Sequence, residues 1–287
     1  MKADNAVIMA AGTASRFAPL SYERPKALIE VRGEVLIERQ IRQLRDAGID
    51  DVIIVTGYMK DRFGYLKDLY GVKLVENREY LKRNNNSTIM AVREYLSNTY
   101  ICSSDNYFTI NPFEKEAEDA YYAAVYSDGD TREWCMTEDE DGYISSVNIG
   151  GRNAWYMLGH AFWSREFSER FLKILDDIYD EPSTSGLLWE AIFMAHLDEL
   201  KMKIRKYPGG IIFEFDTLDE LRAFDESYIN DTRSAIIKKI AGKLCCSEKD
   251  IVNASAFRNS DTQASGFTFD VSDRHYRYSY DGTLREE

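Results

Sequence analysis

The sequence is poor in cysteine, in basic charge and in long apolar runs, and each shortage closes a class of function. Four cysteines occur among 287 residues. Cys102 and Cys135 stand alone, and Cys245 and Cys246 are adjacent, a poor geometry for a structural disulfide. No C-x-x-C pair or Cys/His cluster offers zinc ligands. Lys and Arg number 36 against 49 Asp and Glu, a formal net charge of −13. That balance argues against sequence-independent binding to nucleic acid or to an anionic membrane, both of which require a basic face. A small anionic substrate stays open, because a local basic pocket can lie within an acidic molecule. The longest apolar stretches, such as 187–195 with Glu190 inside it, fall short of the ~20 residues of a membrane span. The opening Met1-Lys2-Ala3-Asp4-Asn5 has no signal-peptide core. A soluble cytoplasmic protein without membrane insertion is expected. What is present is core-forming material: 44% hydrophobic and 30% charged residues suit one large folded domain, or one domain with an appendage.

The apolar pattern alternates in kind along the first hundred residues. The run Ala6-Val7-Ile8-Met9-Ala10 predicts a buried strand feeding a polar loop that extends to Lys26. Residues 35–47 have helical spacing and stop at Gly48, and Val52-Ile53-Ile54-Val55 predicts the next strand. A helix over 60–70, a strand over 72–75, a helix from the Asn84-Asn85-Asn86-Ser87-Thr88 start to about 96 and a strand over 100–103 follow. This cadence predicts an α/β, Rossmann-like, doubly wound and mostly parallel mixed sheet. Its ligands belong at the carboxyl ends of the strands. An aromatic-rich β region is inserted next, with strands at 121–126, 133–137, 143–147 and 154–163 and turns at Asp128-Gly129 and Asp141-Gly142. Helices over 164–178 and 185–197, strands over 201–206 and 211–215 and a short helix from Leu218 complete a domain over 1–229. Residues 230–287 form a small α+β appendage, a helix plus a hairpin.

Chemistry concentrates in Gly12-Thr13-Ala14-Ser15-Arg16-Phe17-Ala18-Pro19-Leu20 and Arg24-Pro25-Lys26-Ala27-Leu28. A glycine where backbone must approach a ligand, exposed N–H groups and two cations in one loop make a polyphosphate site. Arg suits forked contact with phosphate oxygens, and Lys acts as a point charge. Asp105 closes a strand beside this loop, where a carboxylate suits Mg²⁺, which takes few protein oxygens besides substrate phosphates and water. Asp216 ends a later strand, but it precedes Thr217-Leu218-Asp219, so capping of the next helix is a rival role. No nucleophile–base arrangement involves His160, His196 or His275.

The loop resembles the G-x-G-x-R-x-x-P-(x)5-P-K pattern of sugar-1-phosphate nucleotidyltransferases, with Ala14 in place of the second glycine, which Ala tolerates where φ is negative. Over roughly residues 6–224 the chain resembles one branch, the bacterial CTP:phosphocholine cytidylyltransferases. The resemblance is carried by Val55-Thr56-Gly57-Tyr58, Tyr80 with Asn84-Asn85, Ser104-Asp105-Asn106-Tyr107, Thr131-Arg132-Glu133-Trp134, Gly159-His160-Ala161-Phe162-Trp163, Leu188-Trp189-Glu190 and Phe213-Glu214-Phe215-Asp216. It implies Mg²⁺-dependent transfer of the cytidylyl group of CTP to phosphocholine, giving CDP-choline and pyrophosphate. Arg16 and Lys26 are then the catalytic cations, and Asp105 and Asp216 the metal ligands. Ala10, Ala11, Gly12 and Thr13, with Asn84, Asn85, Thr88 and Ser104, bind the nucleotide, the asparagines alternatively serving only as a polar helix start. Trp134 and Trp189 with Glu133 and Glu190, and more weakly Tyr126 and Tyr156, form a cage for the quaternary ammonium, which is recognised by ring faces and carboxylates. Core packing is the competing role for each tryptophan.

Three alternatives remain: a different acceptor (a sugar-1-phosphate, phosphoethanolamine or a phosphonate), a nucleotide-binding regulatory module without turnover, and an added role for the tail. Residues 236–251 and 266–282 faintly resemble the opening of choline kinase-like phosphotransferases, but no catalytic loop follows, and removal of 230–287 is expected to spare the transferase. A homodimer is left open.

Overall fold

The computed structural model describes residues 1–258 and 264–287. Its strands are β1 (Asn5–Ala10), β2 (Glu30–Val31), β3 (Glu34–Val35), β4 (Val52–Thr56), β5 (Lys73–Glu76), β6 (Thr99–Ser103), β7 (Asn106–Phe108), β8 (Tyr121–Glu138), β9 (Ile144–Trp163), β10 (Lys203–Tyr207), β11 (Ile212–Glu214), β12 (Ile251–Arg258), β13 (Ala264–Val271), β14 (Arg274–Ser279) and β15 (Leu284–Glu286). The chain divides into two compact units, Met1–Gly12 with Ile37–Glu214 and Thr13–Leu36 with Phe215–Glu287.

The first unit is a seven-stranded mixed sheet in the order β10-β8-β9-β6-β1-β4-β5. Strand β1 runs parallel to both β4 and β6, while β9 pairs antiparallel with β6. The α/β class expected from the alternating pattern is therefore the one observed. Strands β1 and β4 are continuous apolar runs because both faces are covered: Ala6, Val7, Ile8, Ile53 and Ile54 are all fully buried. The helix Leu36–Asp46 buries Ile37, Ile41 and Leu44 and ends before Gly48, whose φ of +79° terminates it. Ser164 Oγ accepts from Phe167 N at 3.1 Å and caps the helix Arg165–Ile178.

Three local expectations change. The four short aromatic strands are two long bent ones, β8 and β9, joined by a turn containing Asp141-Gly142. Asp128-Gly129 lies inside β8 instead of ending it: Gly129 has φ +103°, and the ladder shifts register there. The bending is sharp enough for Tyr156 to pair with both Val125 and Cys135. The helix expected over 185–197 is only Trp189–Ala195, because a 3₁₀ turn at Pro182–Thr184 and an extended Leu188 precede it. The helix expected to reach residue 96 is Asn86–Ala91 followed by a 3₁₀ turn at Arg93–Tyr95.

The second unit holds a four-stranded antiparallel sheet, β12-β13-β14-β15, and the helix Ala235–Leu244. Its core gathers Ile237, Ile240, Ile251, Phe267, Phe269, Tyr276 and Tyr278, and also Ala18 from the signature loop. The boundary expected at 229/230 falls inside this unit. Among the described residues no helix is long and apolar enough to cross a membrane.

Candidate active site

Within the second unit the signature loop brings its two cations onto one carboxylate. Arg16 Nη1 lies 2.5 Å from Asp216 Oδ2, and Lys26 Nζ lies 3.5 Å from Asp216 Oδ1. The two cations differ in setting. The Arg16 side chain is 75% exposed, whereas that of Lys26 is 6% exposed and its ammonium sits 5.6 Å from the centroid of buried Phe17. A withdrawn ammonium is costly unless paired, so Asp216 and the ring face stabilise Lys26 where it stands. Capping does not occupy Asp216. Thr217 Oγ1 caps the helix Leu218–Phe224 by accepting from Glu220 N, and Glu220 returns a contact to Thr217 N. Ala14 departs from expectation: its φ of +46° and ψ of +46° are left-handed, a region that favours glycine, so it takes over the role of the pattern's second glycine at a cost of about 1 kcal/mol. Thr13 lies in the same loop, half-buried.

In the first unit the carboxyl ends of β1, β4 and β6 carry the expected loops. Tyr58 N donates to Ala11 O at 3.0 Å, and a side chain on Gly57 would meet Ala11 O and the Tyr80 ring at 2.8 Å, so the 56–58 turn fixes the backbone at the end of β1. Gly12 is different. It has no positive φ, and an added Cβ would meet no atom within 4 Å. Neither conformation nor packing requires glycine there, and the space above it suits a ligand approaching the backbone. Beyond β6, buried Ser104 and half-buried Asp105 form a turn held by a residue the sequence reading passed over. Gln40, fully buried, donates from Nε2 to Ser103 O at 2.8 Å and to Asn106 O at 3.0 Å, the carbonyls on either side of Asp105. Strand β7 then pairs with β11, setting Asn106 opposite Glu214 with Nδ2 3.3 Å from Oε2.

The polar run at the helix start is engaged within the protein. Asn84 Nδ2 donates to Gly186 O at 3.1 Å, and Thr88, 3% exposed, accepts from Asn77 Nδ2 at 3.2 Å. Asn86, fully buried, donates to Thr184 O at 3.0 Å and also to Leu187 O. Asn85 reaches Glu190: its Nδ2 donates to Glu190 Oε2 at 3.0 Å while its Oδ1 accepts from Trp189 N at 2.6 Å. Tyr122 OH donates to the other Glu190 oxygen at 3.3 Å. Burial pushes the Glu190 carboxyl up to about 7, against the stabilising bonds from Asn85 and Tyr122.

The two tryptophans part company. Trp189 is 1% exposed, stacked on Tyr122 at 5.6 Å and enclosed edge-on by Trp163 and Phe171. It is core, with no ring face to offer, because the helix that begins at it turns its side chain inward. Trp134 is half-buried beside Glu133 on β8. Tyr126 is 44% exposed and meets Trp155 edge-on. Tyr122, hydrogen-bonded to Glu190, and Tyr156 each lie within electrostatic reach of carboxylates. Burial first, then the charges of Glu190 and Glu214, raise the Tyr122 hydroxyl; burial, then Glu133 and Glu214, raise that of Tyr156. Three carboxylates thus bear on two tyrosines. Glu214 was missed as a site residue, although its alternation with Asp216 across Phe215 was the available signal.

Among the described residues no group of three or more His, Cys, Asp or Glu side chains converges as a metal cage. Asp105 in the first unit and Asp216 in the second are each a hard oxygen donor of the kind a divalent cation takes from protein when phosphates complete its shell. Beside Asp105, Asn106 Oδ1 is buried without a donor, an acceptor that a hydrated cation would satisfy.

A phosphate-type loop with paired cations, carboxylates at strand ends and a doubly wound sheet define a nucleotidyltransferase. The chain belongs to the MobA-like NTP transferase family, whose model matches residues 6–175, and whose members generally use a divalent metal. It is 32% identical to a choline-phosphate cytidylyltransferase of Streptococcus pneumoniae over 79% of this chain and 99% of that protein. It is 35% identical to a 2-aminoethylphosphonate cytidylyltransferase of Lancefieldella rimae over 80% of this chain and 95% of the relative. The solved structure of the CTP:phosphocholine cytidylyltransferase from Streptococcus pneumoniae superposes with a TM-score of 0.75, covering 79% of this chain and 99% of that one.

Proposed function

We propose that the protein is a choline-phosphate cytidylyltransferase, joining phosphocholine to the cytidylyl group of CTP. The observation that carries the acceptor is the Glu133, Glu190 and Glu214 set around Tyr122 and Tyr156, an acidic and aromatic cluster in the first unit, buried at Tyr122, half-buried at Glu190 and open at Glu133 and Glu214, suited to a cationic head group. The relatives named for cytidylyl transfer support the donor. A cytoplasmic location goes with this reading, since CTP is an intracellular nucleotide.

In the reaction a phosphate oxygen of phosphocholine attacks the α-phosphorus of CTP. The new P–O bond forms as the bond to the β-phosphate oxygen breaks, and pyrophosphate leaves. No general base is required: a phosphomonoester with second pKa near ~6 is largely dianionic at neutral pH. Arg16 grips the triphosphate through its fork, and Lys26 neutralises charge spreading over the α-phosphate. The backbone of Ala10, Ala11 and Gly12 passes close to the nucleoside. Asp105 and Asp216 would hold Mg²⁺, which supplies charge neutralisation across the phosphates. Asp216 becomes available as the triphosphate draws Arg16 and Lys26 to itself.

A second reading keeps the donor and changes the acceptor to 2-aminoethylphosphonate or phosphoethanolamine. The burial of Trp189 favours it, because the site then offers more carboxylate and less ring face, which suits a hydrogen-bonding primary ammonium. Pyrophosphate release from CTP with Mg²⁺ decides between them, comparing phosphocholine, phosphoethanolamine, 2-aminoethylphosphonate and glucose-1-phosphate. Release with phosphocholine at the highest kcat/KM is expected. Preference for an aminoethyl acceptor moves the assignment to the second reading. Release with the sugar phosphate alone discards the cationic site, and CTP binding without release from any acceptor makes the chain a binding module.

A further inference from the structure

About a fifth of this chain lies outside its match to the Streptococcus relative, which is itself spanned almost completely. That share equals the segment 230–287 in size. Within the second unit this segment holds the signature loop at four successive stations. Arg258 Nη2 donates to Ser15 Oγ at 2.7 Å. Ala18, 1% exposed, is packed into the core with Ile237, Ile240, Phe267 and Phe269. The rings of Tyr22 and Tyr280 stack with centroids 3.6 Å apart and planes 11° from parallel. Glu23 accepts from Ser234 Oγ, from Ala235 N at 2.8 Å and from Ile236 N at 3.3 Å, so a carboxylate of the loop sits on the N-terminal turn of the helix Ala235–Leu244. Arg16 lies between the first two stations, and Lys26 follows three residues after the last.

We propose that the segment 230–287 is a positioning element for the triphosphate-binding loop, with Tyr280 and Arg258 as its positioning residues. The inference rests on the reading that this loop holds CTP. An exposed loop carrying a 75% exposed arginine loses conformational freedom when it closes on an anion, and loops held only by their ends lose most. Fixing Ser15, Ala18, Tyr22 and Glu23 in advance removes much of that cost and sets the direction in which Arg16 leaves the backbone. All four contacts fall on the loop that is read as holding the triphosphate. The effect therefore belongs to CTP and not to the acceptor. The segment expected to be dispensable is, on these contacts, part of the loop's scaffold.

The test uses the full chain and four variants: Tyr280→Ala, Tyr280→Phe, Arg258→Ala and Lys26→Ala. CTP affinity is measured by calorimetry, KM for CTP and for phosphocholine by pyrophosphate release, and folding by thermal melting. Tyr280→Ala and Arg258→Ala are each expected to raise Kd and KM for CTP about tenfold, with KM for phosphocholine unmoved. Tyr280→Phe keeps the stacked ring and is expected to behave as wild type. Unchanged CTP affinity in both alanine variants overturns the proposal. So does a rise in both KM values together with a fall in melting temperature, which marks a merely structural role. If Tyr280→Ala fails to fold, the exposed Arg258→Ala carries the test alone. Activity retained in Lys26→Ala overturns the underlying reading of the loop, an outcome distinct from failure of the positioning.

Discussion

Asp105 and Asp216, the two carboxylates expected to serve one metal ion, are held by opposite means in the two units. Around Asp105 the restraint is neutral and buried: Gln40 pins the carbonyls of Ser103 and Asn106, and β7 pairs with β11 just beyond. Around Asp216 it is ionic and partly exposed, through Arg16 at 2.5 Å and Lys26 at 3.5 Å. A neutral buried brace holds its geometry whatever arrives. The exposed Arg16 pair contributes little stability by itself, typically about 0–1 kcal/mol, and both cations can exchange Asp216 for a polyphosphate, which gives the withdrawn Lys26 a partner in its place. On the proposed reading, the comparison teaches that the carboxylate of the first unit is set in advance, whereas that of the second is freed when a nucleotide takes its cations.

The largest effect should come from breaking the ionic side. Lys26→Ala is expected to lower kcat about 10²–10³-fold, the range for removing one preorganised charge-stabilising group. The fold should survive, since Arg16 still pairs with Asp216. Circular dichroism and single-turnover pyrophosphate release check this, and near-wild-type turnover would remove the loop from the mechanism.

Next comes the acceptor surface of the first unit. With the Glu190 carboxyl raised to about 7, the group is largely neutral below that pH and anionic above it. Affinity for a cationic acceptor should therefore rise as pH increases through 7, and bound cation should shift the midpoint downward. Glu190→Gln should raise KM for the acceptor about tenfold at pH 8, a loss of roughly 1.4 kcal/mol, and flatten the profile. Stability has the opposite sign. The folded protein holds a proton on Glu190 that the unfolded chain has already released above about 4.5, so this group's contribution falls as pH rises from about 4.5 to 7. Melting temperatures of wild type and Glu190→Gln across that window should converge toward the acid end, and parallel curves would mean Glu190 does not titrate there.

A smaller effect is expected from the neutral brace. Gln40→Leu leaves the Ser103 and Asn106 carbonyls without their buried donor, at about 1–3 kcal/mol. It should loosen Asp105 and lower kcat more than it raises either KM. A higher Mg²⁺ requirement is the distinguishing readout, and an unchanged metal titration would assign Gln40 to stability only.

How much of this could be read from sequence follows from the range of the interactions. The sheet class was legible because apolar runs are local, and a local loop motif was enough to nominate Arg16, Lys26 and Asp105 as candidates. Trp189 was not, since a tryptophan next to a glutamate looks the same whether its ring faces solvent or packs on Tyr122 and Trp163. Gln40 sits on an amphipathic helix where glutamine reads as surface, and only the returning β6–β7 turn makes it a brace. Glu214 was quoted within a motif but passed over because its partners, Asn106, Tyr122 and Tyr156, come from distant strands. The tail was read as an appendage because its polar strands gave no hint that they would close on residues 15–23.

The smallest effect sharpens the comparison at the loop itself. Ala14 was expected at negative φ, and it stands at +46°, where an alanine costs about 1 kcal/mol more than glycine. Ala14→Gly relieves that strain but gives the unfolded chain more freedom, a loss of about 0.4–1 kcal/mol. The two nearly cancel, so the melting temperature should move by less than about 2 °C, and KM for CTP should stay within twofold if the tail sets the loop's direction. A several-fold rise in KM would show that the alanine's stiffness, and not the clamp at Ser15 and Tyr22, holds Arg16 in place. That outcome would shift the positioning role from distant contacts to a single backbone conformation.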